Sequence, residues 1–212
     1  MISKLHYITQ RIGEQDHDVL AARACAAGVR WVQLRVKNSR DDEWKEVAMR
    51  TKRVCEKFSA TFIINDNVEL AKEVNADGVH LGKEDMDPLE ARKMLGTQFI
   101  IGGTANTFED VQRLAEAKVD YVGLGPFRFT TTKEKLSPVL GLEGYGNILK
   151  KMCEAGINIP VIAIGGITPR DTHGLLSVGV HGIAVSSAIN ASSDHRNTVK
   201  DFLGSTSYAF EK

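Results

Sequence analysis

The sequence predicts a (β/α)8 TIM barrel of the α/β class, with residues 1–212 forming a single domain. Short apolar segments typical of strands alternate eight times with segments that carry a helical pattern of apolar residues. Strands this apolar must be covered on both faces, as in a parallel sheet. Eight repeats in 212 residues fit a closed barrel better than an open doubly wound sheet. No GxGxxG motif follows the first strand, which weakens the prediction of a dinucleotide-binding sheet.

The boundaries of the predicted elements come from β-branched residues in the strands and from small-residue turns after the helices. Gly28, Gly156 and Gly179 each follow a helical segment and precede a buried strand, as expected for αβ connections. The predicted strands are Leu5–Thr9, Trp31–Leu34, Thr61–Ile64, Gly78–Leu81, Phe99–Gly102, Asp120–Leu124, Pro160–Ile164 and Gly182–Val185. The predicted helices are Val19–Ala27, Asp42–Ser59, Asn67–Val74, Pro88–Leu95, Thr107–Ala117, Tyr145–Glu154, Pro169–Val178 and Asp194–Leu203.

The composition narrows the class of protein and its partners. The chain has 27 Lys and Arg residues against 27 Asp and Glu residues, so its formal net charge is zero. Nucleic-acid or membrane partners would normally require a basic excess, and we expect neither. Three cysteines without CxxC spacing indicate a reducing compartment. With no signal-peptide hydrophobic region and no apolar run of membrane length, the sequence predicts a cytoplasmic protein.

Polar residues that suit ligand binding follow nearly every predicted strand. In a barrel of this kind, the ligand site lies at the C-terminal ends of the strands. Gln33, Arg35 and Lys37 alternate along an extended segment after the second strand, so they share one side of it. The others are Asn65 and Asp66 after the third strand, Asp85 after the fourth, Thr104 after the fifth, Gly166 after the seventh, and Ser186 and Ser187 after the eighth.

The segment 120–133 is the most informative stretch of the chain. A buried strand and a turn at Gly125-Pro126 lead directly into three hydroxyl groups and an ammonium group, those of Thr130, Thr131, Thr132 and Lys133. Hydroxyl donors, backbone N–H groups and a lysine in one loop suit a monophosphate or a diphosphate. The alternative is an ordinary threonine-rich turn with a solvated lysine.

Charged residues at the same rim predict a pyrophosphate site with a metal ion. Arg35, Lys37 and Lys133 are three cations directed to one mouth, and arginine together with lysine is suited to binding pyrophosphate. Asp66 and Asp85 end neighbouring strands, so their carboxylates are predicted to share a Mg²⁺ ion. The alternative for Asp66 is a role as helix N-cap.

The last two strands predict a second anion site. Gly166, Ser186 and Ser187 match the phosphate site that barrels build from the loops after strands 7 and 8. Two such sites across one mouth indicate two phosphorylated substrates, or one substrate with phosphates at both ends. No protein nucleophile is evident, and His80 is interpreted as a hydrogen-bonded structural residue.

Together these motifs resemble the thiamine-phosphate synthase family, and the resemblance covers nearly the whole chain. The matching motifs are Gln33-x-Arg35-x-Lys37, Ile64-Asn65-Asp66, the segment 76–82, Gly123-x-Gly125-Pro126 with Thr130-x-Thr132-Lys133, and the segment 163–167. The family joins hydroxymethylpyrimidine diphosphate to a plain or carboxylated thiazole phosphate and releases pyrophosphate with the help of Mg²⁺.

The resemblance implies a role for each matching residue, and it implies a homodimer. The pyrimidine diphosphate set would be Gln33, Arg35, Lys37, Asn65, Thr104 and Lys133, with Asp66 and Asp85 as Mg²⁺ ligands. The thiazole phosphate set would be Thr130, Thr132, Gly166, Ser186 and Ser187. The implied mechanism is dissociative: pyrophosphate leaves first, and the thiazole nitrogen captures the pyrimidine-methyl cation.

The chain departs from the family pattern at two places, and other functions remain open. Asn106 stands where the family usually has a histidine, and Arg128-Phe129 stands where a proline usually precedes the first threonine. One alternative is a thiazole tautomerase, which is similar in fold but lacks the threonine–lysine segment and has histidine at the position of Pro126. Another is a different phosphate-binding barrel enzyme, such as an isomerase of a phosphorylated sugar derivative, which would use Asp66 and Asp85 as acid and base and would need no Mg²⁺. The last is a non-catalytic protein that binds thiazole phosphate.

Overall fold

Eight parallel strands close into a barrel in the order of the chain, as the sequence predicts. The computed structural model describes residues 1–36, 41–129 and 138–207. The strands are β1 (Leu5–Ile8), β2 (Trp31–Leu34), β3 (Thr61–Asn65), β4 (Gly78–Leu81), β5 (Ile100–Ala105), β6 (Tyr121–Leu124), β7 (Val161–Ile164) and β8 (Gly182–Val185). That residues 1–212 form one domain stays a prediction.

Helices follow every strand and form the outer layer. Within the described ranges they are α1 (His17–Ala27), α2 (Asp41–Lys57), α3 (Val68–Glu73), α4 (Pro88–Leu95), α5 (Phe108–Glu116), α6 (Gly141–Glu154), α7 (Pro169–Ser177), α8 (Ser187–Asn190) and α9 (His195–Ser207). No described helix is long and apolar enough to cross a membrane.

Several boundaries differ from the sequence prediction, and three of the differences, at β5, α6 and α8, have a local reason. The strand β5 continues beyond Gly102 to Ala105, so Thr104 lies within the strand. The helix α6 begins at Gly141, whereas the sequence prediction started it at Tyr145. The prediction missed the first turn because that turn contains glycines and has no capping side chain to mark its start. The helix α8 was not predicted, since four residues are too few to show a helical period.

Two apolar regions hold the fold together. The larger one fills the space between the barrel and the helices. The smaller one fills the inside of the barrel and includes Ile8, Trp31, Ile63, Tyr121 and Ile162. The barrel interior is therefore a packed core rather than a channel, and only its upper end is open to form a pocket.

Aromatic rings fill the lower part of the barrel. His6 stacks on Trp31 with ring centroids 4.2 Å apart, and the Tyr121 ring lies edge-on to Trp31 at 5.6 Å. Burial lowers the pKa of His6 well below its usual value, and the His6 Nε2 atom lies 2.9 Å from the Ser3 carbonyl oxygen. Trp31 is fully buried, which places it in the core beneath the pocket and excludes contact with a ligand at the mouth.

The strand register places a glycine between two polar rings of the barrel interior, those of His80 and Tyr121. His80 on β4 pairs with Gly102 on β5, and Gly102 pairs with Tyr121 on β6. Because Gly102 has no side chain, the Tyr121 hydroxyl comes within 3.1 Å of His80 Nδ1 across it. A Cβ atom at position 102 would lie 2.2 Å from Cζ of Tyr121.

We predict that Gly102→Ala destabilises the barrel by about 1–3 kcal/mol, because the buried Tyr121 ring has no room to move away. Gly146→Ala is the matched control. Gly146 lies within α6, and nothing would lie within 4 Å of an added Cβ. The control should be stabilised by about 0.5–1 kcal/mol through helix propensity. Urea unfolding followed by circular dichroism measures both, and equal stabilities would contradict the role given to Gly102.

Candidate functional site

A pocket of about 420 Å³ opens at the C-terminal ends of the strands. Loops and strand ends from all around the barrel contribute to it, which is the arrangement that a closed parallel barrel dictates. Every predicted site residue that lies within the described part of the chain lines this pocket. They are Gln33, Arg35, Asn65, Asp66, Asp85, Thr104, Gly166, Ser186 and Ser187. The predicted residues Lys37, Thr130, Thr131, Thr132 and Lys133 lie outside the described residues.

Two buried amides on β2 and β3 form a fixed pair. Gln33 Nε2 donates to Asn65 Oδ1 at 2.6 Å, and both side chains are almost fully buried. The Asn65 side chain also hydrogen-bonds to the carboxylate of Asp66. Since the Gln33 amide nitrogen is used in this pair, its carbonyl oxygen remains as an acceptor for a ligand.

Asp66 occupies a backbone conformation that points its carboxylate towards the pocket rather than into a helix cap. Its φ of 68° lies in the left-handed region, which aspartate tolerates better than most residues. The N-cap of α3 is Asn67, whose side chain accepts from Leu70 N. The cap role considered for Asp66 from the sequence is therefore wrong.

Asp66 and Asp85 lie in contact, as their positions on neighbouring strands predict. The pKa of Asp66 is raised to about 7, first by burial and then by the hydrogen bond with Asp85 and by the negative charge of Asp85. The charge of Arg35 acts in the opposite direction. The second carboxylate is held in place by the Gly82 N–H, which donates to Asp85 Oδ2 at 2.6 Å.

The backbone that leads to Arg35 is fixed by Thr9, which the sequence analysis did not assign to the site. The Arg35 N–H donates to Thr9 Oγ1 at 3.1 Å, and the same hydroxyl lies 2.7 Å from His17 Nδ1. Both Thr9 and His17 are buried. The sequence does show a threonine at the end of the first apolar strand, which could have drawn attention to Thr9. Its contact with Arg35 could not be predicted, because it depends on the register between β1 and β2.

His80 contacts the site through the hydroxyl of Thr104. Its Nε2 atom lies 3.0 Å from Thr104 Oγ1, and its Nδ1 atom lies 3.1 Å from the Tyr121 hydroxyl. The ring therefore links the packed core to a pocket residue. The interpretation of His80 as a hydrogen-bonded residue agrees with these contacts, and His80 also lies in the lining of the pocket.

Asn106, at one of the two departures from the family pattern, binds the backbone of the next strand. Its Nδ2 donates to the Gly125 carbonyl, and its own N–H donates to Asp110 Oδ2 at 2.9 Å. Asp110 also forms an ion pair with Lys83 at 2.6 Å. Asn106 thus anchors the start of the segment that follows β6.

The opposite side of the pocket combines an apolar wall with hydroxyl groups. Ile8, Ile164 and Ala184 line it beside Ser186 and Ser187. Ser186 Oγ is buried and has no hydrogen-bond partner among the described residues. Buried hydroxyl groups in proteins are almost always paired, so this hydroxyl is suited to a ligand oxygen. The wall suits a flat heteroaromatic ring.

Described residues supply two acidic ligands for a metal ion, not a complete set. In the ranges 1–36, 41–129 and 138–207, no group of three or more His, Cys, Asp or Glu side chains is placed to hold a metal. Two carboxylates in contact at the mouth of a pocket do favour a divalent cation, because it would relieve their mutual repulsion. Mg²⁺ usually takes one or two carboxylates and completes its shell with water and phosphate oxygens. The residues present fit such an ion.

Comparisons with known proteins find similar sequences and a similar fold among solved structures of the same description. A family model described as thiamine monophosphate synthase matches residues 5–189. A thiamine-phosphate synthase of Bacteroides fragilis is 51% identical over 199 residues, which cover 94% of this chain and 98% of the relative. One from Flavobacterium johnsoniae is 51% identical over 196 residues, covering 92% of each chain. The solved structure of thiamine phosphate pyrophosphorylase from Pyrococcus furiosus is 30% identical, with a TM-score of 0.85 and coverage of 98% and 96%.

We predict that Asp66→Asn changes the pH dependence of stability in EDTA. The pKa of Asp66 is about 7 in the folded protein and about 4 in the unfolded chain. Between these values the folded state holds a proton that the unfolded state has lost, so wild-type stability falls as the pH rises. The asparagine side chain does not titrate, so the variant does not lose stability in this way. Its free energy of unfolding relative to that of the wild type should therefore increase between pH 5 and pH 8.

The matched control for that measurement is Asp87→Asn. Asp87 is the N-cap of α4, and asparagine caps helices equally well. Urea unfolding at pH 5 and at pH 8 measures the free energy of unfolding. The difference in this free energy between the control and the wild type should be the same at both pH values. If the difference in free energy of unfolding between Asp66→Asn and the wild type were also the same at the two pH values, the raised pKa of Asp66 would be contradicted.

Proposed function

The chain belongs to the thiamine monophosphate synthase family, and from that premise we propose how its pocket residues make thiamine phosphate. As a thiamine-phosphate synthase, it is a transferase that joins hydroxymethylpyrimidine diphosphate to a thiazole phosphate and releases pyrophosphate. The observation that carries the proposed roles is the contact of Asp66 with Asp85 beside Arg35 in a pocket that also has an apolar wall.

The pyrimidine ring is proposed to bind over the amide pair. Gln33 Nε2 donates a hydrogen bond to Asn65. The remaining polar atom, Gln33 Oε1, is therefore proposed to accept a hydrogen bond from the exocyclic amino group of the pyrimidine. Thr104, whose hydroxyl is oriented by His80, contacts the same ring. These contacts fix the methylene carbon that reacts, and positioning of this kind lowers the barrier without any covalent participation of the protein.

The diphosphate is proposed to lie across the charged side of the mouth. Arg35 binds its oxygens, and Lys37 and Lys133 add two further positive charges from outside the described residues. Asp66 and Asp85 would hold Mg²⁺, which when bound offsets the negative charge of the departing pyrophosphate. The site residues thus stabilise the charge that develops as the bond breaks.

The acceptor is proposed to bind at the opposite side of the pocket. Its thiazole ring packs against the apolar wall, and its phosphate accepts from the hydroxyls of Ser186 and Ser187 and from the backbone at Gly166. Thr130, Thr131 and Thr132, outside the described residues, are proposed to contribute further hydroxyls. This arrangement places the thiazole nitrogen opposite the methylene carbon of the pyrimidine.

The proposed reaction needs no proton transfer to or from the protein. The C–O bond between the methylene carbon and the diphosphate breaks, and the electron pair leaves with pyrophosphate. The lone pair of the thiazole nitrogen then forms the C–N bond and gives a thiazolium product. A pocket that performs this reaction requires positioning and electrostatics but neither a nucleophile nor a general base.

We further propose that the chain acts as a homodimer in the cytoplasm. The dimer is implied by the family resemblance, and the compartment is supported by free thiols at Cys25, Cys55 and Cys153. Light scattering coupled to gel filtration measures the oligomeric state, and a mass near 23.3 kDa would contradict the dimer.

The proposed function predicts pyrophosphate release that requires both substrates and Mg²⁺. EDTA should abolish it, and Asp66→Ala and Lys133→Ala should each lower kcat/KM by about 10²-fold or more, because each removes stabilisation of the leaving group. A coupled pyrophosphate assay measures these rates. No release by folded wild-type protein would contradict the synthase, and release that persists in EDTA would contradict the metal site.

Two control variants test whether the losses are specific. Asp87→Asn changes a carboxylate two residues from Asp85 and preserves the helix cap. Lys93→Ala removes an exposed positive charge from the last turn of α4. Both should keep activity within about twofold of the wild type, since surface substitutions away from a site have small effects. Losses equal to those of the site variants would mean that net charge, and not these particular residues, supports catalysis.

A further inference from the structure

Arg128 bridges the segments that follow β6 and β7. Its Nη1 atom donates to Asp171 Oδ2 at 2.7 Å, and its Nη2 atom donates to Asp171 Oδ1 at 2.7 Å. The same Nη1 atom also donates to the Gly166 carbonyl at 2.9 Å. A bidentate pair of this kind fixes both distance and orientation, which a single charge contact does not.

The backbone around Arg128 is fixed as well. The Phe127 N–H donates to the Ile164 carbonyl at 2.8 Å, and the Arg128 N–H donates to the Gly165 carbonyl at 3.0 Å. The two segments therefore continue the pairing of β6 with β7 beyond the strands. The Arg128 side chain then crosses directly over Gly166.

Gly166 is shaped to receive this side chain. A Cβ atom at position 166 would lie 2.5 Å from Cγ of Arg128, and the residue has a φ of 66°. Only glycine satisfies both conditions without strain. The close approach of Arg128 to Gly166 therefore requires glycine at position 166.

The bond from Arg128 decides which way the next peptide faces. In a trans peptide the C=O and N–H groups point in opposite directions. Because the Gly166 carbonyl is directed to Arg128, the Ile167 N–H is directed away from it. Among the described residues, the Ile167 N–H has no hydrogen-bond acceptor, and Gly165, Gly166 and Ile167 all line the pocket.

Asp171 transmits the same constraint to the start of α7. Its Oδ2 atom accepts from the Thr168 N–H at 2.8 Å and from Thr168 Oγ1 at 2.7 Å. Partial burial would raise the pKa of Asp171, but the hydrogen bonds from Arg128 and Thr168 lower it below the usual value. One carboxylate thus joins the arginine to the capping box of the helix.

We propose that Arg128 is a positioning residue for the acceptor phosphate, because it holds the Gly166–Ile167 peptide with its N–H, rather than its carbonyl, available to that phosphate. This inference rests on the proposed function. A carbonyl turned towards a phosphate repels it, whereas an N–H donates to it. The ion pair is partly exposed, and exposed pairs add little to stability, so the effect falls on binding rather than on folding.

Steady-state kinetics of pyrophosphate release, with each substrate varied in turn, test this role. Arg128→Met keeps the aliphatic stem but removes the fork. It should raise KM for the thiazole phosphate about tenfold, leave KM for the pyrimidine diphosphate within about twofold, and leave the midpoint of thermal unfolding almost unchanged. Arg128→Lys, which keeps the charge without the bidentate geometry, should recover only part of the loss.

Two further variants separate positioning from general electrostatics. Arg170→Met removes an exposed positive charge from the first turn of α7, the helix that contains Asp171. This variant should leave both KM values unchanged. Asp171→Asn combined with Arg128→Met should be no worse than Arg128→Met alone, since the two residues act as one unit.

Four outcomes would overturn the inference. They are an equal rise in both KM values, full activity of Arg128→Met, an effect of Arg170→Met equal to that of Arg128→Met, and full recovery by Arg128→Lys. A wild-type protein that releases no pyrophosphate would overturn the proposed function first and this inference with it. That result is distinguishable, because it is visible before any variant is compared.

Discussion

The hydrogen bonds between β1 and β8 close the sheet, and every other feature of the site depends on that closure. Leu5, His6 and Tyr7 pair with Ile183, Ala184 and Val185, so the first strand lies beside the last. A closed parallel barrel has no edge and gathers all eight C-terminal strand ends at one rim. Residues as distant in the chain as Thr9 and Ser187 therefore line the same pocket.

Closure also limits the space inside the barrel, and glycines on the strands leave room there for the large side chains. Large rings from β1, β2 and β6 fill the lower barrel. Gly102 leaves space for the Tyr121 ring, and Gly123 leaves space for His80, whose Cε1 would lie 2.9 Å from a Cβ at position 123. His80 is thereby held between the core and Thr104. The floor of the pocket is rigid because its polar groups are bonded to one another.

The pocket separates its charges by side. Asp66, Asp85 and Arg35 lie at the ends of β2, β3 and β4, whereas the apolar wall and the serines come from β1, β7 and β8. This separation suits a reaction in which a highly charged group departs from one side and a neutral ring attacks from the other. The carboxylates are unfavourable neighbours in the metal-free protein, and a cost of this kind is typical of functional sites.

Much of the fold could be predicted from local sequence. Apolar strands of four or five residues, alternating with longer helical segments, determined the barrel, because period and length are local properties. Boundaries that lack a local signal were missed, as at α6, where no side chain caps the first turn, and at α8, which has only four residues. The end of β5 was also missed, because pairing with β6 decides how far that strand continues.

For the site, the sequence by itself determined which residues gather at the rim. Arg35, Asp66, Thr104 and Ser186 each follow or end an apolar strand, and barrel topology places such positions together. Only the tertiary structure decided their contacts. The Gln33–Asn65 pair, the support of Arg35 by Thr9 and the bridge from Arg128 to Asp171 join residues 26 to 43 positions apart. Such contacts depend on strand register and side-chain direction, and neither is encoded by any short stretch of the chain.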